Sequence, residues 1–503
     1  MARQVLWQLF IAWDFSTYTN ESTRLMRASG EYSLTPPGDG FSSGRGIISS
    51  MSMTLNNNDG RYSPLNTSSA IYSSIQNGKA YHAPCYLNVS IDNGGSYTRI
   101  FTGVIKYPKP SGANTKEIST VELECRSMEE KYLQDKLSTT LEDFQTLHDT
   151  AADEGFIIDN WLTGLGVSTG DMQFDAGITV VPWVWLDDES AIEEAWKLAA
   201  ATGGRFYANP NGKFIYESAT HWLTNSSSVT SQETIDTNDF EKLDMAYEDK
   251  DLFSSVLVEA APREILQPDI LWQPDENIVV PANTTRIYTA KLRQPAYTID
   301  DASFTATTAG GTNITASVSI TQANFSQRVV LTIVNAHTTH AAYLRPFSIT
   351  GRAVSGGATI EEERNSATHG ANGSYFTSRG DRQKSIRGNV YVQSRSHAAM
   401  IAEYLMRQSE YPRITYKVGG ALGVPGRRLS DKVTLNDSSL MSGSTTAIIT
   451  GIRWRLDNKG FKQDLTLIDS ANLYPYQSTS PGYFVVNTNK LGSADSLRGR
   501  LFF

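Results

Sequence analysis

The sequence predicts a mainly β protein with one α+β module. Thr, Ser, Tyr, Gly and Asn are abundant, apolar residues alternate with polar ones over long stretches, and few runs have helical spacing. With 503 residues, the chain is too long for one hydrophobic core, and its 40% hydrophobic residues suffice for several. We therefore expect two small β-barrels, a small helix-hairpin domain and an inserted β-sandwich.

Residues 1–130 are predicted to form the first barrel, as an antiparallel meander with one solvent-exposed face. Apolar residues at every second position from 85 to 91 indicate a strand. The turn at residues 56–60 is rich in Asn, Asp and Gly, which tolerate a left-handed backbone. Residues 35–40 are rich in Pro and Gly, which is typical of an exposed loop.

Residues 131–270 are predicted to form an α+β accessory domain with connecting strands. Helical spacing covers residues 140–154 and, more clearly, 187–202, whose acidic start suits the positive end of a helix. A hairpin is expected around the turn Asn209-Pro210-Asn211-Gly212, between residues 205–208 and 213–216.

The remainder of the chain divides into four expected segments. Several short strands in residues 271–355 favour an inserted immunoglobulin-like β-sandwich without the cysteine pair. Residues 356–384 are rich in Gly, Ser and Glu and are interpreted as a linker or loop. Strands return in residues 385–470, the predicted second barrel, which begins with a helix at residues 396–409. Residues 471–503 are expected to be an extended tail.

Two stretches of the chain read alike, which indicates an internal repeat. In both, a Thr-Gly pair (Thr102-Gly103 and Thr450-Gly451) interrupts an apolar strand, and a turn and an alternating strand follow. Glycine within a strand indicates a bend or bulge where a sheet curls. The interpretation is two copies of one small barrel, and the alternative is a chance similarity of short segments. Three such chains around an axis would present six barrels, as an adaptor between a sixfold tube and a threefold tip requires.

At this point the sequence resembles the family of phage tail baseplate hub (tail tip hub) proteins. Residues 52–64, followed by Phe101-Thr102-Gly103, look like that family's opening barrel. Residues 191–212 are similar to its helix-hairpin module. The family's second barrel is similar to a set of three segments here: residues 390–401, residues 426–433 and the Thr450-Gly451 strand. The resemblance covers about residues 1–270 and 385–470.

The resemblance implies two tail-tube-like β-barrels and a structural rather than enzymatic role. It implies a homotrimeric hub in the virion tail tip that joins the tail tube or distal tail protein to tip, spike or fibre proteins and lines the DNA channel used in DNA ejection. Assembly in the host cytoplasm is expected. The alternative is a tail-associated carbohydrate-binding adhesin or hydrolase that uses the sandwich, with Trp272, Tyr288, Tyr297 and Phe304 as sugar-stacking candidates.

Charge and cysteine content limit the classes of binding partner and the cellular compartment in which the chain is expected to fold. The net charge is −9 and there is no Lys/Arg cluster, which argues against sequence-specific nucleic-acid binding. An acidic surface also suits a wall past which polyanions slide, although plain solubility is the favoured explanation. Cys85 and Cys125 are expected to be small buried hydrophobes, with one bridge between them as the alternative. The start has no targeting pattern and no stretch is long enough to span a membrane, so we expect folding in a reducing cytoplasm and no stable membrane insertion.

The sequence contains no recognisable motif for catalysis, for cofactor binding or for metal binding. The sequence has no zinc-protease motif, phosphate loop, dinucleotide fingerprint or serine nucleophile elbow. His337 and His340 are the one close histidine pair, and on a strand or turn their rings are expected to point to opposite faces. We therefore expect no catalytic residues, no cofactor, no metal and no enzyme activity.

Overall fold

The computed structural model describes residues 4–34, 47–106, 108–111, 119–248, 252–365, 382–409, 413–437, 439–441 and 443–470. The predicted loop at residues 35–40 and the predicted tail at residues 471–503 lie outside the described residues. Within them, no helix has the length and apolar character needed to cross a membrane.

The described chain is mainly β, as predicted. Its strands are β1 (Leu6–Ile11), β2 (Thr19–Asn20), β3 (Leu25–Ser33), β4 (Ser50–Asn56), β5 (Pro84–Ser90), β6 (Thr98–Ile105), β7 (Lys109–Ser111), β8 (Thr120–Ser127), β9 (Lys136–Ser138), β10 (Met172–Phe174), β11 (Asp187–Ser190), β12 (Arg205–Ala208), β13 (Phe214–Glu217), β14 (Ser231–Asp236), β15 (Lys242–Glu248), β16 (Ser255–Ala260), β17 (Arg263–Ile265), β18 (Asp269–Trp272), β19 (Ile278–Val280), β20 (Thr284–Lys291), β21 (Ala296–Ile299), β22 (Ser303–Thr307), β23 (Val318–Asn324), β24 (Arg328–Asn335), β25 (Ala342–Gly356), β26 (Ile360–Asn365), β27 (Gln383–Ile386), β28 (Arg413–Leu422), β29 (Lys432–Asn436), β30 (Ser444–Asp457) and β31 (Gly460–Asp469). Its helices are α1 (Tyr72–Gln76), α2 (Glu129–Tyr132), α3 (Leu141–Asp149), α4 (Glu154–Gly164), α5 (Ala191–Ala201), α6 (His221–Thr224), α7 (Ser226–Val229) and α8 (Arg395–Gln408).

One 14-stranded sheet contains strands from both ends of the chain. The main path runs β15-β28-β31-β30-β3-β4-β8-β6-β5-β1-β2, with β14 and β29 attached beside β30 and with β7 beside β8. Its inward side chains form a single core of alternating apolar residues such as Leu123, Cys125 and Leu467. The prediction of two separate closed barrels is therefore wrong: the described strands form one continuous sheet that does not close. The cause is the length of β30, which pairs with β29 and with β3 along the same edge.

The α+β module has its own core. The sheet β10-β13-β12 packs with α4 and α5, and α8 adds its apolar face to the same core. The hairpin predicted around residues 209–212 is confirmed, because β12 and β13 pair antiparallel across that turn. Helix α8 also confirms a helix in the last third, and it packs against β16 and β26 within the core of the module.

Two helices have boundaries that differ from those predicted from the sequence. The run 140–154 is two helices, since Ala151 has a φ of 52° and the Asp153 carboxylate accepts a hydrogen bond from the Phe156 N–H at 2.9 Å, which starts α4. The acidic run 187–189 does not start a helix. It lies in β11, which pairs with β9, and α5 begins after Ser190, whose hydroxyl accepts from the Glu193 N–H.

Residues 263–356 contain two sheets that pack across a core of their own. Strands β20-β24-β23 form one sheet, and the 15-residue strand β25 collects β17, β18, β19, β21 and β22 in the other. The predicted linker 356–384 is partly structured, because β26 pairs with β16 and β27 begins at Gln383. The stretch 366–381 lies outside the described residues.

Candidate assembly surface

The large sheet is built from two units with the same strand order. We define the first unit as β1-β5-β6-β8-β4-β3 and the second unit as β14-β29-β30-β31-β28-β15, in order of pairing. One direction differs, because β1 pairs antiparallel with β5 whereas β14 pairs parallel with β29. Strands β14 and β15 therefore belong with the second unit, although their residues fall in the stretch predicted as the accessory domain.

The two units also match in backbone detail at the start of β5 and of β29. His82 and Ser430 both have a left-handed backbone, with φ of 63° and 66°. The N–H of His82 donates to the Ile105 carbonyl at 2.8 Å, and the N–H of Ser430 donates to the Ile449 carbonyl at 2.9 Å. Residues other than glycine rarely adopt this backbone conformation. Its recurrence two residues before β5 and two residues before β29 therefore identifies Ile105 and Ile449 as equivalent positions.

The internal repeat is thus present, but the two Thr-Gly pairs are not equivalent. Gly103 lies opposite Cys85, and the residue in the matching place is Ala447, opposite Val433. Gly451 follows a register shift in the pairing of β30 with β31, at the point where the neighbour of β30 changes from β29 to β3. The predicted bulge is confirmed there. The Thr-Gly alignment was wrong because register is fixed by partners far away in sequence.

Strands β3 and β30 join the two units. Six consecutive residue pairs connect them, from Ala28 with Leu456 to Ser33 with Gly451. Gly30 lies against the Trp454 ring so closely that a Cβ there would be 2.5 Å from Trp454 Cζ2. Tyr32 is buried at this junction, and Glu31 and Arg453 form an exposed ion pair of 3.0 Å across it. The junction therefore depends on a small residue at position 30.

The accessory module contacts both units. At the tip of its hairpin, the Pro210 carbonyl accepts a hydrogen bond from the Thr102 hydroxyl of the first unit at 2.8 Å. At the base, Ser430 of the second unit donates from its hydroxyl to Glu217 at 2.8 Å and accepts from the Trp222 indole N–H at 2.9 Å. The module is thus positioned to fix one unit relative to the other.

A buried charge network lies at this second contact, and we call it the clamp: Arg205, Glu217, His221, Asp175 and Ser430. Glu217 accepts from Arg205 Nε at 2.8 Å, and His221 Nδ1 is 2.7 Å from Asp175. Burial works to raise the pKa of Glu217, but the charges of Arg205 and His221 outweigh it and hold that pKa below its ordinary value. Asp175 follows the same pattern, since burial is outweighed by its hydrogen bond to His221 and its pKa is lowered. The two carboxylates of the clamp, Glu217 and Asp175, therefore stay ionised at neutral pH, and the clamp is structural in character.

Acid is expected to weaken the packing of α8 through His397. This side chain is buried, its Nε2 lies 3.1 Å from the Ala201 carbonyl oxygen, and burial lowers its pKa from 6.5 to about 4. Between those pH values the unfolded chain binds a proton that the folded chain does not, so stability falls as the pH falls from 6.5 to 4. We expect His397→Gln to remove a loss of about 3 kcal/mol at pH 4, measured by urea unfolding at pH 7 and pH 4. The matched change at exposed His340 should leave the loss intact, and an unchanged loss in His397→Gln would contradict this assignment.

The sandwich aromatics do not form one exposed face. Trp272 is only 8% exposed and its ring packs against Phe347, with centroids 5.4 Å apart. Phe304 packs on the same core, and half-buried Tyr297 contacts Trp183 of the accessory module. Of the four candidates, only Tyr288 has an exposed side chain, with 39% of its surface accessible. This arrangement weakens the sugar-binding alternative.

The other chemistry-bearing residues are placed as follows. The rings of His337 and His340 lie 4.9 Å apart, so the prediction that they face opposite ways is wrong. The reason is local, because His337 Nδ1 accepts the N–H groups of Thr339 and His340 and folds the turn back on itself. Among the described residues, no three His, Cys, Asp or Glu side chains are grouped as a metal site. Cys85 and Cys125 are buried free thiols, as expected of small hydrophobes, and the alternative of a bridge is not formed.

Comparison with known proteins gives similarity at the level of structure. No family model matches the sequence, and no curated protein matches it. A tail protein from Neisseria meningitidis MC58 is similar with a TM-score of 0.47 and 10% identity, over 94% of this chain and 99% of that one. The 43 kDa tail protein of prophage MuSo2 from Shewanella oneidensis has a TM-score of 0.46 and 11% identity, over 93% and 98%.

A third similar structure comes from Escherichia coli. It is a component of the type VI secretion system, described as structurally similar to the T4 bacteriophage tail proteins gp27 and gp5, with a TM-score of 0.36 and 10% identity over 92% of this chain and 78% of that one.

Proposed function

We propose that this chain is the structural hub of a bacteriophage tail tip or baseplate. In this proposal it is a homotrimeric adaptor that joins the sixfold tail tube to threefold tip components and lines the DNA channel. The observation that carries the proposal is the presence of two units with the same strand order, joined in one sheet by the pairing of β3 with β30.

The duplication supports the proposal through symmetry. A ring of three identical chains has only three equivalent positions, whereas a tube with six subunits per ring offers six. If each chain supplies two similar units, three chains supply six. The accessory module, which contacts both units through Thr102 and Ser430, would then hold each pair in a fixed relation.

The proposed mechanism is mechanical and not enzymatic. Partners on the tube side would be the tail tube or distal tail protein, and those on the other side would be tip, spike or fibre proteins. The net charge of −9 suits a channel wall to which DNA does not adhere during ejection. The protein would assemble in the host cytoplasm and reside in the virion tail tip, with residues 271–355 as a separate inserted module.

Sedimentation equilibrium of the purified full-length chain tests the proposal. We expect the mass of three chains, alone or with a tail-tube protein present, over a wide range of protein concentration. A chain that stays monomeric under all these conditions would exclude a trimeric hub.

A further inference from the structure

We propose that β15, whose outer edge pairs with no strand in the described part of the chain, is a contact strand for a second copy of this chain and pairs antiparallel with β7 of that copy. The inference rests on the proposed function, since it specifies which surfaces meet between neighbouring chains. The chain already contains one contact between its two units, the pairing of β3 with β30, and the same kind of contact can be repeated between copies.

The registers of the sheet show which residues are equivalent. In the first unit, Ile105 lies opposite Cys125, Cys125 lies opposite Met51, and Met51 lies opposite Gly30. In the second unit, the matching series begins at Ile449, which lies opposite Leu467; Leu467 lies opposite Tyr416, and Tyr416 lies opposite Met245. Strand β3 of the first unit therefore corresponds to β15 of the second. Gly30 corresponds to Met245, and two residues further along Tyr32 corresponds to Tyr247.

These equivalent strands differ in one respect, which is whether the outer edge is covered. The outer edge of β3 pairs with β30, whereas β15 pairs with β28 and with no other strand of the described chain. Tyr32 is accordingly 5% exposed, while Tyr247 is 65% exposed and Met245 is 37% exposed. An uncovered edge strand with large apolar side chains is a template for pairing with another chain.

The complementary surface follows from the same registers. In the second unit, the residue that faces Gly30 is Trp454, five positions after Ile449 and opposite Gln463. Five positions after Ile105 is Pro110, opposite Val121. Strand β7 is therefore the first unit's counterpart of the part of β30 that covers β3. Its three residues are exposed, and β8 is its one partner among the described strands.

The side chains on the two edges fit each other in size and charge. Bulky Trp454 requires glycine at position 30, whereas the smaller Pro110 leaves room for Met245. Asp244 would lie diagonal to Lys109, which suits an ion pair across the contact. Pro110 has no N–H, and proline in a sheet is confined to edges, so β7 resists random strand pairing while its side chains still cover a matched edge.

Disulfide cross-linking tests this register directly. In the variant Met245→Cys with Pro110→Cys, oxidation should link neighbouring copies, and a non-reducing gel should show covalent oligomers up to the trimer. The native thiols of Cys85 and Cys125 are buried and do not compete. The matched control pairs Met245→Cys with Ile287→Cys, an exposed sandwich position at which no link is expected.

A second measurement does not depend on cysteine geometry. Tyr247→Asp should weaken self-association at least tenfold in sedimentation, whereas Ile287→Asp should leave it unchanged. Trimers that neither cross-link through 245 and 110 nor respond to Tyr247→Asp would overturn the edge assignment and leave the hub proposal standing. Links in dimers or open polymers would support the edge and contradict the trimer. An unlinked monomer at all concentrations would overturn both.

Discussion

Replacing Glu217 with alanine is expected to lower the free energy of unfolding of the clamp region by about 3–5 kcal/mol. Glu217 is nearly inaccessible and receives hydrogen bonds from Arg205, Tyr207 and Ser430. Its removal leaves the Arg205 guanidinium buried without its hydrogen-bonded carboxylate partner. Hydrogen exchange of residues 205–222 and 428–432 should show the loss of protection.

The control for this change is Glu361→Ala, which removes an exposed ion pair with Arg387. We expect an effect of less than about 1 kcal/mol there. Because the pKa of Glu217 is lowered, its contribution is present above its unfolded pKa and is lost as the pH falls through the folded pKa. The difference between wild type and Glu217→Ala should therefore shrink in acid. A Glu217→Ala protein as well protected as the wild type would show that the clamp does not hold the module to the second unit.

Replacing Gly30 with valine is expected to destabilise the junction between the two units by about 1–3 kcal/mol. A Cβ at this position would lie 2.5 Å from Trp454 Cζ2 and 2.7 Å from the Ser50 carbonyl oxygen, so the Trp454 ring of β30 and the backbone of β4 would both have to move away from β3. Urea unfolding should report the loss. Gly356→Val is the matched control, because nothing lies within 4 Å of a Cβ there. Equal stability of the two variants would contradict the close packing at the junction.

Features set by neighbouring residues could be predicted from the sequence. The hairpin of β12 and β13 is fixed by Asn209-Pro210-Asn211-Gly212, and α8 by its apolar spacing. Alternation along β5 and β8 predicted buried Cys85 and Cys125. The local break between α3 and α4 was missed, although Asp153 is a good helix-capping residue and was the available signal.

Features set by distant pairing could not be predicted. The pairing of β3 with β30 brings together residues more than four hundred positions apart in the sequence, and no local pattern specifies this pairing. The same holds for Ser430, whose bonds to Trp222 and Glu217 form the clamp. The repeat was visible because both units contain similar alternating apolar strands, but its alignment depended on the equivalence of Ile105 and Ile449, which only the registers reveal.

If each chain supplies two equivalent units to one ring, end-on cryo-microscopy averages of the purified 503-residue chain should show a ring with six similar densities around an open channel. The ring should have threefold symmetry once the accessory modules are resolved. A twofold particle, or a ring in which the units do not alternate around the axis, would contradict this arrangement.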